Sequence, residues 1–463
     1  MTVLFASWLC ASPWRAAWRG LLFGAGMFGV GVSWVYVSLH TYGRMPAPLA
    51  AIAVAVFVLL LSLFPAAVGF AQAKLVRPAS MLRPGCAAPA LWVLGEWARE
   101  WVLTGFPWLS LGYSQTESPL FALAPLVGVY GLSLVVVASA GAVVLAWYRR
   151  TRVSMMPLAG LLVVWLAAVP LGGVQWVRPV NAPLAVALVQ GNVGLDEKWA
   201  PERQAEIVDL YLGLSAAAPE AQLIVWPEAA LPLYRDALPD RLWDALQGMP
   251  SDFLFGVLER EPSATGMSVY NSVAGVGADG AVQIYRKRHL VPFGEYLPLR
   301  PLFAWVLDYL HIPMADFLPG DGARTALVLA GNVVGVSVCY EDAFAAEVLA
   351  AVPKATLLAN VSEDAWFGAS LAPHQRLQMA RMRAREAGRA MLRAGNTGIS
   401  AVIDHRGAVL ERSPQFRTVV LTATVQPMAG ETPFARYRHL PAVLVSLLLT
   451  LASAWLARYR PRG

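Results

Sequence analysis

The sequence predicts a multi-span α-helical membrane domain followed by an α/β domain. Of its 463 residues, 57% are hydrophobic and 14% are charged, whereas a typical soluble domain carries about 25% charged residues. The charges are unevenly distributed: residues 1–180 hold 11 Lys or Arg and 3 Asp or Glu, and residues 181–463 hold 25 and 27. In the second part apolar strands alternate with helical patterns, which is typical of a layered α/β domain. This composition excludes a disordered chain and argues against an ordinary cytosolic enzyme.

Five runs of the sequence are long and apolar enough to cross a membrane, which takes about 20 residues of helix. None contains a charged residue, and they cover residues 20–39, 49–72, 121–147, 155–174 and 440–457. A sixth stretch, 89–106, is apolar except for Glu96, Arg99 and Glu100. Its periodicity does not decide between a membrane span and an amphipathic surface helix.

The basic residues between these runs predict the topology, because Lys and Arg in short loops favour the cytoplasmic side. Basic clusters lie at 15–19, 74–83, 149–152 and 458–462. The chain must cross the membrane an even number of times between the second and third clusters, so we predict that 89–106 is a sixth span. Both termini are then cytoplasmic, and the polar region lies on the opposite side, which is the periplasm in a bacterium.

Three domains follow from this topology. We predict a transmembrane bundle over 1–180, a periplasmic α/β domain over 181–438, and a C-terminal transmembrane helix with a short basic tail over 439–463. The α/β domain is mildly acidic, so the net charge of +6 gives no reason to expect a nucleic acid partner. Cys339 is the one cysteine between 181 and 438, which excludes a disulfide within that domain.

Polar side chains follow three of the apolar strands predicted in the polar domain. The predicted strands are 184–190, 223–226, 253–258, 267–276, 281–286, 332–338 and 355–360, and the helical patterns cover 203–216 and 373–393. Glu228, Lys287 and Cys339 each come just after the end of one of these strands. Ligands of α/β folds bind beyond the carboxyl ends of strands, so these three residues can converge in one pocket.

Glu, Lys and Cys together suit acyl transfer through a thioester. A thiol becomes a good nucleophile only when it loses its proton, which a nearby carboxylate can accept and later return to a leaving group. A lysine ammonium can stabilise the oxyanion of the tetrahedral intermediate. Each residue alone has a simpler interpretation: a buried core cysteine, a glutamate beside a helix N-terminus, and a solvated lysine. The sequence contains no metal-ligand spacing or glycine-rich phosphate loop, so no metal or cofactor is expected.

The segments around these three residues resemble the nitrilase, or carbon–nitrogen hydrolase, superfamily, whose catalytic Glu, Lys and Cys occur in this chain order. With the membrane spans, the chain resembles the apolipoprotein N-acyltransferase family of that superfamily. The motifs that carry the resemblance are WPEAA at 226–230, VPFGEYLP at 291–298, SVCYED at 337–342, VSEDAWFG at 361–368, QMARMRARE at 378–386 and GVGVSWVY at 29–36.

The resemblance implies an αββα sandwich and assigns roles to individual residues. Cys339 would be the nucleophile, Glu228 the general base and acid, and Lys287 the oxyanion stabiliser. Three further residues match supporting positions of the family: Glu295, Tyr340 and Glu341. Two tryptophans match aromatic positions near a lipid entrance, namely Trp199 and Trp366, and simple core packing is the alternative for both.

The resemblance also implies substrates and a location. The acyl donor would be a membrane phospholipid, and the acceptor would be the α-amine of the N-terminal S-diacylglyceryl-cysteine of an apolipoprotein. The enzyme would lie in the bacterial inner membrane with its catalytic domain on the periplasmic side. A membrane-tethered amidase or nitrilase with water as the acceptor is the alternative function, and a non-catalytic lipid-binding protein is a third.

The sequence departs from that family in two respects. Six spans are predicted where the family usually has eight, and residues 2–12 match the remnant of the second. Glu363 stands where the family commonly has asparagine. An extra carboxylate at this position is expected to alter the lipid pocket or the local pKa values.

Overall fold

The computed structural model describes residues 1–263, 266–298, 301, 316–322 and 324–459, so residues 460–463 of the predicted basic tail lie outside the described residues. The chain forms two compact units. The first unit contains Met1–Ser33, Pro48–Gln175 and the residues from Arg436 onward. The second unit contains Trp34–Ala47 and Trp176–Ala435.

Helices make up most of the first unit and the outer layers of the second. In chain order the described α-helices are α1 (Thr2–Trp8), α2 (Pro13–Gly31), α3 (Trp34–Tyr36), α4 (Ala47–Leu75), α5 (Ala88–Ala98), α6 (Ala124–Arg149), α7 (Arg152–Leu171), α8 (Leu195–Lys198), α9 (Gln204–Ala216), α10 (Asp240–Gln247), α11 (Ala345–Val348), α12 (Ala372–Ala387), α13 (Pro433–Tyr437) and α14 (Leu440–Tyr459). Two π-helical segments extend this set, Val37–Tyr42 after α3 and Arg83–Ala87 before α5.

Four helical segments of the described residues are long and apolar enough to cross a membrane. They are Ala47–Leu75, Pro119–Arg149, Arg152–Leu171 and Leu440–Arg458. A fifth is present if Pro13–Gly31 and Trp34–Tyr42, which are bent by 53° relative to each other, count as one span. These segments overlap all five uncharged apolar runs of the sequence, although Arg152–Leu171 ends three residues before the run at 155–174 does.

The predicted span at 89–106 is not found as a continuous helix. Helix α5 ends at Ala98, and the chain then turns back on itself: the Phe106 N–H donates to the carbonyl oxygen of Arg99 (2.6 Å). Leu103, Thr104 and Gly105 all have positive φ angles of 54° to 94°, which a right-handed helix does not tolerate. The prediction of six regular spans is therefore wrong at this segment, because hydropathy does not register the left-handed turn that interrupts it.

The second unit is built on two six-stranded sheets. In chain order the strands are β1 (Arg178–Pro179), β2 (Leu184–Gln190), β3 (Leu223–Val225), β4 (Asp252–Ser263), β5 (Gly266–Val276), β6 (Val282–Arg286), β7 (Ala326–Leu329), β8 (Asn332–Val338), β9 (Leu357–Ser362), β10 (Met391–Gly395), β11 (Ala401–Ile403), β12 (Val409–Arg412), β13 (Val419–Val425) and β14 (Met428–Ala429). One sheet has the order β13-β2-β3-β4-β5-β6 and the other β12-β11-β10-β9-β8-β7. In each sheet three adjacent strands are parallel, β2-β3-β4 in the first and β8-β9-β10 in the second.

The two sheets pack face to face, and helices cover their outer faces. Leu188 and Val225 of one sheet share a buried apolar cluster with Val336 and Val361 of the other. A second cluster joins the outer face of the first sheet to α9 and α10, and a third joins the outer face of the second sheet to α11 and α12. The predicted αββα sandwich is confirmed, and burial on both faces explains why its central strands read as continuous apolar runs.

Two differences from the prediction lie in the second unit. The predicted helix at 373–393 ends at Ala387, because Gly388 adopts a left-handed conformation (φ 64°) and strand β10 follows.

Trp34–Ala47 belongs to this unit, although 1–180 was predicted as one membrane bundle. The Trp34 and Phe367 rings meet edge to face at 4.9 Å, and Ser38 Oγ donates to the Trp366 carbonyl (2.8 Å).

Candidate active site

Glu228, Lys287 and Cys339 lie beyond the carboxyl ends of three strands. Glu228 follows β3 after Trp226 and Pro227, whereas Lys287 directly follows β6 and Cys339 directly follows β8. Cys339 has a positive φ of 46°, a strained conformation for a residue with a side chain. Strain of this kind at the end of a strand is typical of a functional residue that the surrounding structure holds in place.

Lys287 joins two carboxylates in the interior of the second unit. Its side chain is 1% exposed, and its Nζ lies 3.7 Å from Glu228 Oε1 and 2.7 Å from Glu295 Oε2. Burial by itself lowers the pKa of Lys287, but the charges of Glu295 and Glu228 outweigh burial and raise that pKa above its usual value. The lysine is therefore a fixed positive charge next to both glutamates.

Asn271 connects the same two glutamates and was not predicted from the sequence. Its Nδ2 donates to Glu228 Oε1 (2.7 Å) and to Glu295 Oε1 (2.8 Å). Asn271 lies on β5, and its backbone carbonyl oxygen accepts a hydrogen bond from the Lys287 backbone N–H (2.8 Å). The second oxygen of each carboxylate accepts a backbone N–H, from Glu363 for Glu228 and from Val291 for Glu295, each at 2.8 Å. Both glutamates are thereby fixed in orientation.

The Cys339 thiol lies within the electrostatic influence of Glu228 and Lys287. Burial is the largest effect and raises the pKa of Cys339 to about 12, with a further increase from Glu228. The positive charges of Arg376 and Lys287 act in the opposite direction. A buried thiol with a raised pKa holds its proton more tightly, so it would need a base to remove that proton before it could act as a nucleophile. The structure thus brings the three predicted residues together with a carboxylate available for that task.

Glu341 holds the turn that carries Cys339. Its fully buried carboxylate accepts hydrogen bonds from the Val338 N–H (2.7 Å), the Arg288 N–H (2.7 Å) and the Tyr285 hydroxyl (2.8 Å). Burial raises the pKa of Glu341, and these backbone donors oppose that rise. Because Val338 precedes Cys339 and Arg288 follows Lys287, the carboxylate connects the turn that carries Cys339 to the turn that carries Lys287.

The three predicted aromatic residues make packing contacts. Tyr340 is buried, and its ring meets the Phe344 ring edge to face at 5.1 Å. Trp199 is partly buried and packs against a small apolar cluster that includes Leu290. Trp366 lies edge to face with Tyr42, with ring centroids 6.3 Å apart. Contact with lipid stays a prediction for both tryptophans.

Glu363 forms a buried ion pair with Lys198, a contact that the sequence did not indicate. Lys198 Nζ donates to the Glu363 carboxylate and also to the carbonyl oxygen of Glu228 (3.1 Å). Asn396 Nδ2 lies within 3.1 Å of both Glu363 carboxylate oxygens. Burial raises the pKa of Glu363, and the charge of Lys198 lowers it. The extra carboxylate is thus matched by a lysine, and the two residues hold Glu228 at two points: Lys198 at its backbone carbonyl oxygen, and the Glu363 backbone N–H at its carboxylate.

Replacing Lys198 with methionine is expected to destabilise the folded chain by about 3–5 kcal/mol, because it leaves a buried carboxylate without its cation. The double replacement Lys198→Met/Glu363→Gln is expected to recover most of that loss. The measurement is the midpoint of thermal unfolding of the full chain in detergent. Arg241→Met is the matched control. Arg241 and Asp209 form an ion pair (2.7 Å) whose two side chains are both about half exposed. Exposed pairs of this kind contribute about 0–1 kcal/mol to stability. Equal midpoints for Lys198→Met and Arg241→Met would contradict the prediction.

The arrangement can perform nucleophilic acyl chemistry. It combines a thiol, a carboxylate that can accept the thiol proton, and an ammonium that can face a developing oxyanion. Within the part of the chain that the structure describes, no group of three or more His, Cys, Asp or Glu side chains is arranged to hold a metal ion.

Known proteins similar to this chain cover nearly its whole length. A family profile described as "Apolipoprotein N-acyltransferase N-terminal domain" matches residues 1–142, and one described as "Carbon-nitrogen hydrolase" matches residues 185–434. The "Apolipoprotein N-acyltransferase" of Methylococcus capsulatus is 43% identical over 445 residues, which are 96% of this chain and 88% of the relative. The protein of the same name from Nitrosomonas europaea is 45% identical over 448 residues, 96% and 89% of the two chains. That of Photobacterium profundum is 38% identical over 461 residues, 96% and 87%.

Proposed function

The chain belongs to the apolipoprotein N-acyltransferase family and is an acyltransferase of lipoprotein N-acylation, and on that premise we propose that Cys339 carries the acyl group from a membrane phospholipid to the lipoprotein as a thioester. The observation that supports this route most directly is the convergence of Lys287 on Glu228 and Glu295, beside the strained Cys339 turn. The amidase alternative uses the same three residues with water as the acceptor.

The first proposed step forms the acyl-enzyme. Cys339 Sγ attacks the ester carbonyl carbon of the phospholipid while Glu228 accepts the thiol proton. The carbonyl oxygen becomes an oxyanion beside the Lys287 ammonium, which stabilises it. When the intermediate collapses, the carbon–oxygen ester bond breaks, and the leaving alkoxide takes the proton from Glu228. A lysophospholipid departs and a thioester on Cys339 remains.

The second proposed step transfers the acyl group to nitrogen. The α-amine of the N-terminal S-diacylglyceryl-cysteine attacks the thioester carbon, and the new oxyanion again faces Lys287. The carbon–sulfur bond breaks, and the amine loses a proton to Glu228. That proton passes to the departing Cys339 thiolate, so the thiol and the carboxylate return to their starting states.

The membrane part suits substrates that carry acyl chains. Moving such a chain from a bilayer into water is unfavourable by about 0.8 kcal/mol per CH₂ group. The described residues include four helical segments, or five with the bent pair, that can cross a membrane and so keep the enzyme with its lipids. The basic clusters at 149–152 and 458–462 are each separated from the α/β domain in sequence by one segment that can cross a membrane, Arg152–Leu171 and Leu440–Arg458. Because such clusters favour the cytoplasmic side, they support a catalytic domain on the periplasmic side of the inner membrane.

The mass of a test lipopeptide decides between the two acceptors. Purified full chain is incubated with phospholipid vesicles and a lipopeptide that carries an N-terminal diacylglyceryl-cysteine. We expect the N-terminal peptide to gain the mass of one acyl chain, with one lysophospholipid formed for each acyl group transferred. Reactions without vesicles and without enzyme are the controls. An unchanged peptide mass, together with ammonia released from small amides, would instead select the amidase.

A further inference from the structure

Arg376 reaches the Cys339 sulfur from helix α12. Its Nη1 donates to Cys339 Sγ at 3.3 Å, and its Nη2 donates to the Cys339 carbonyl oxygen at 2.6 Å. The guanidinium thus contacts the nucleophile at two atoms, one of which is the reacting atom. The Arg376 side chain is 1% exposed, so water screens its charge weakly.

Two buried carboxylates hold the guanidinium in place. Arg376 Nη2 lies 2.9 Å from Asp342 Oδ2, and Nη1 lies 2.8 Å from Asp364 Oδ1. Burial by itself lowers the pKa of Arg376, but Asp342, Cys339 and Asp364 outweigh burial and raise that pKa. The planar fork of an arginine can satisfy carboxylates and a third acceptor at once, which a lysine ammonium does less well.

Arg393 provides an internal comparison. It is also fully buried, and it contacts the same two carboxylates, at 2.7 Å from Asp364 Oδ2 and 3.5 Å from Asp342 Oδ2. The hydrogen bonds of Arg393 go to Asp364 and Asn360, whereas those of Arg376 extend to sulfur. Two arginines therefore balance two aspartates, and one of the arginines is in addition placed against the nucleophile.

Sulfur becomes negative twice in the proposed reaction, when the thiol loses its proton to attack and when the thioester releases it. From these contacts we propose that Arg376 is a catalytic residue that stabilises the Cys339 thiolate at both moments. This inference rests on the proposed function, because it assumes that Cys339 is the nucleophile. In this proposal Arg376 stabilises the Cys339 thiolate, and Lys287 stabilises the oxyanion that forms on the substrate.

The charges around the sulfur come from four elements. Arg376 on α12 and Lys287 after β6 favour the thiolate, whereas Glu228 after β3 and Asp364 after β9 disfavour it. Among these groups Arg376 exerts the largest effect in favour of the thiolate. Its loss is therefore expected to make the thiol less acidic and slower to react.

The test follows alkylation of Cys339 by iodoacetamide as a function of pH. The full chain carries Cys10→Ser and Cys86→Ser in all samples, so that Cys339 is its one thiol. Only the thiolate reacts, so the pH profile reports the acidity of the thiol. We expect Arg376→Gln to slow alkylation at neutral pH by at least about tenfold, which corresponds to about one pKa unit. Arg393→Gln removes a cation from the same carboxylates and is expected to move the profile by less than half as much.

Two outcomes overturn the proposal: an Arg376→Gln profile that overlays the parent, and an Arg393→Gln profile that moves as far as that of Arg376→Gln. If Arg376→Gln does not fold, Arg376→Gln/Asp342→Asn preserves the net charge of the cluster and is compared with Asp342→Asn alone. We expect the double variant to have the more alkaline profile, and coincident profiles would overturn the proposal. Alkylation needs no lipid substrate, so this result is independent of whether Cys339 carries an acyl group.

Discussion

Replacing Cys339 with alanine is expected to abolish acyl transfer, a loss on the order of 10⁶-fold, the size seen when the nucleophile is removed from a set of residues that act as a unit. Without Sγ no thioester can form, and Glu228 and Lys287 have no nucleophile to assist. The measurement uses membranes supplied with phospholipid that is labelled in its acyl chains. The label that remains on the denatured protein and is released by hydroxylamine reports the thioester.

The other two cysteines provide the matched control. Cys10 is exposed and Cys86 is half-buried, and both belong to the first unit. Cys10→Ala/Cys86→Ala is expected to retain the full hydroxylamine-sensitive label. If the parent chain and Cys339→Ala are labelled equally, the thioester route is wrong.

Replacing Lys287 with methionine is expected to lower both activity and stability. Loss of a donor to the oxyanion reduces the rate of acyl transfer by about 10²–10³-fold. The same change leaves Glu228 and Glu295 buried side by side without a cation, which is expected to destabilise the fold by about 3–5 kcal/mol. The rate is measured with the test lipopeptide, and stability is measured as the midpoint of thermal unfolding in detergent.

A double variant separates these two effects. Lys287→Met/Glu295→Gln removes one buried negative charge with the positive one, and is expected to recover most of the stability and none of the activity. Lys354→Met replaces an exposed lysine and is expected to leave both quantities unchanged. Recovery of acyl transfer in the double variant would show that Lys287 acts only by neutralising charge.

The strand ends were the part of the site that the sequence could predict. Strands β2 and β8 have the predicted bounds, because buried strands in a covered sheet leave continuous apolar runs. Glu228, Lys287 and Cys339 were then identifiable as polar residues at the points where such runs stop. Their order along the chain and the motifs around them were sufficient to predict the αββα sandwich.

The residues that orient this set could not be predicted in the same way. Asn271 lies within strand β5, Lys198 at the end of the four-residue helix α8, and Arg376 on a helix whose apolar pattern is weak. Each acts through partners that are remote in sequence, such as Lys198 on Glu363, 165 positions away. Local periodicity contains no information on such pairings. The left-handed turn after α5 could not be predicted from hydropathy either, because it depends on backbone conformation.

The second unit is formed by two separate stretches of the sequence, Trp34–Ala47 and Trp176–Ala435. This limits where the chain can be cut, or recombined with a relative, without damaging the unit. A fragment cut at Trp176 would lack Trp34 and Ser38, so the Phe367 ring and the Trp366 carbonyl would each lose a partner in the segment that follows β9. Recombination at a single junction near Trp176 would transfer both sheets without residues 34–47, which contact this segment. We therefore expect that the acyltransfer module can be exchanged between relatives only when residues 34–47 move with it.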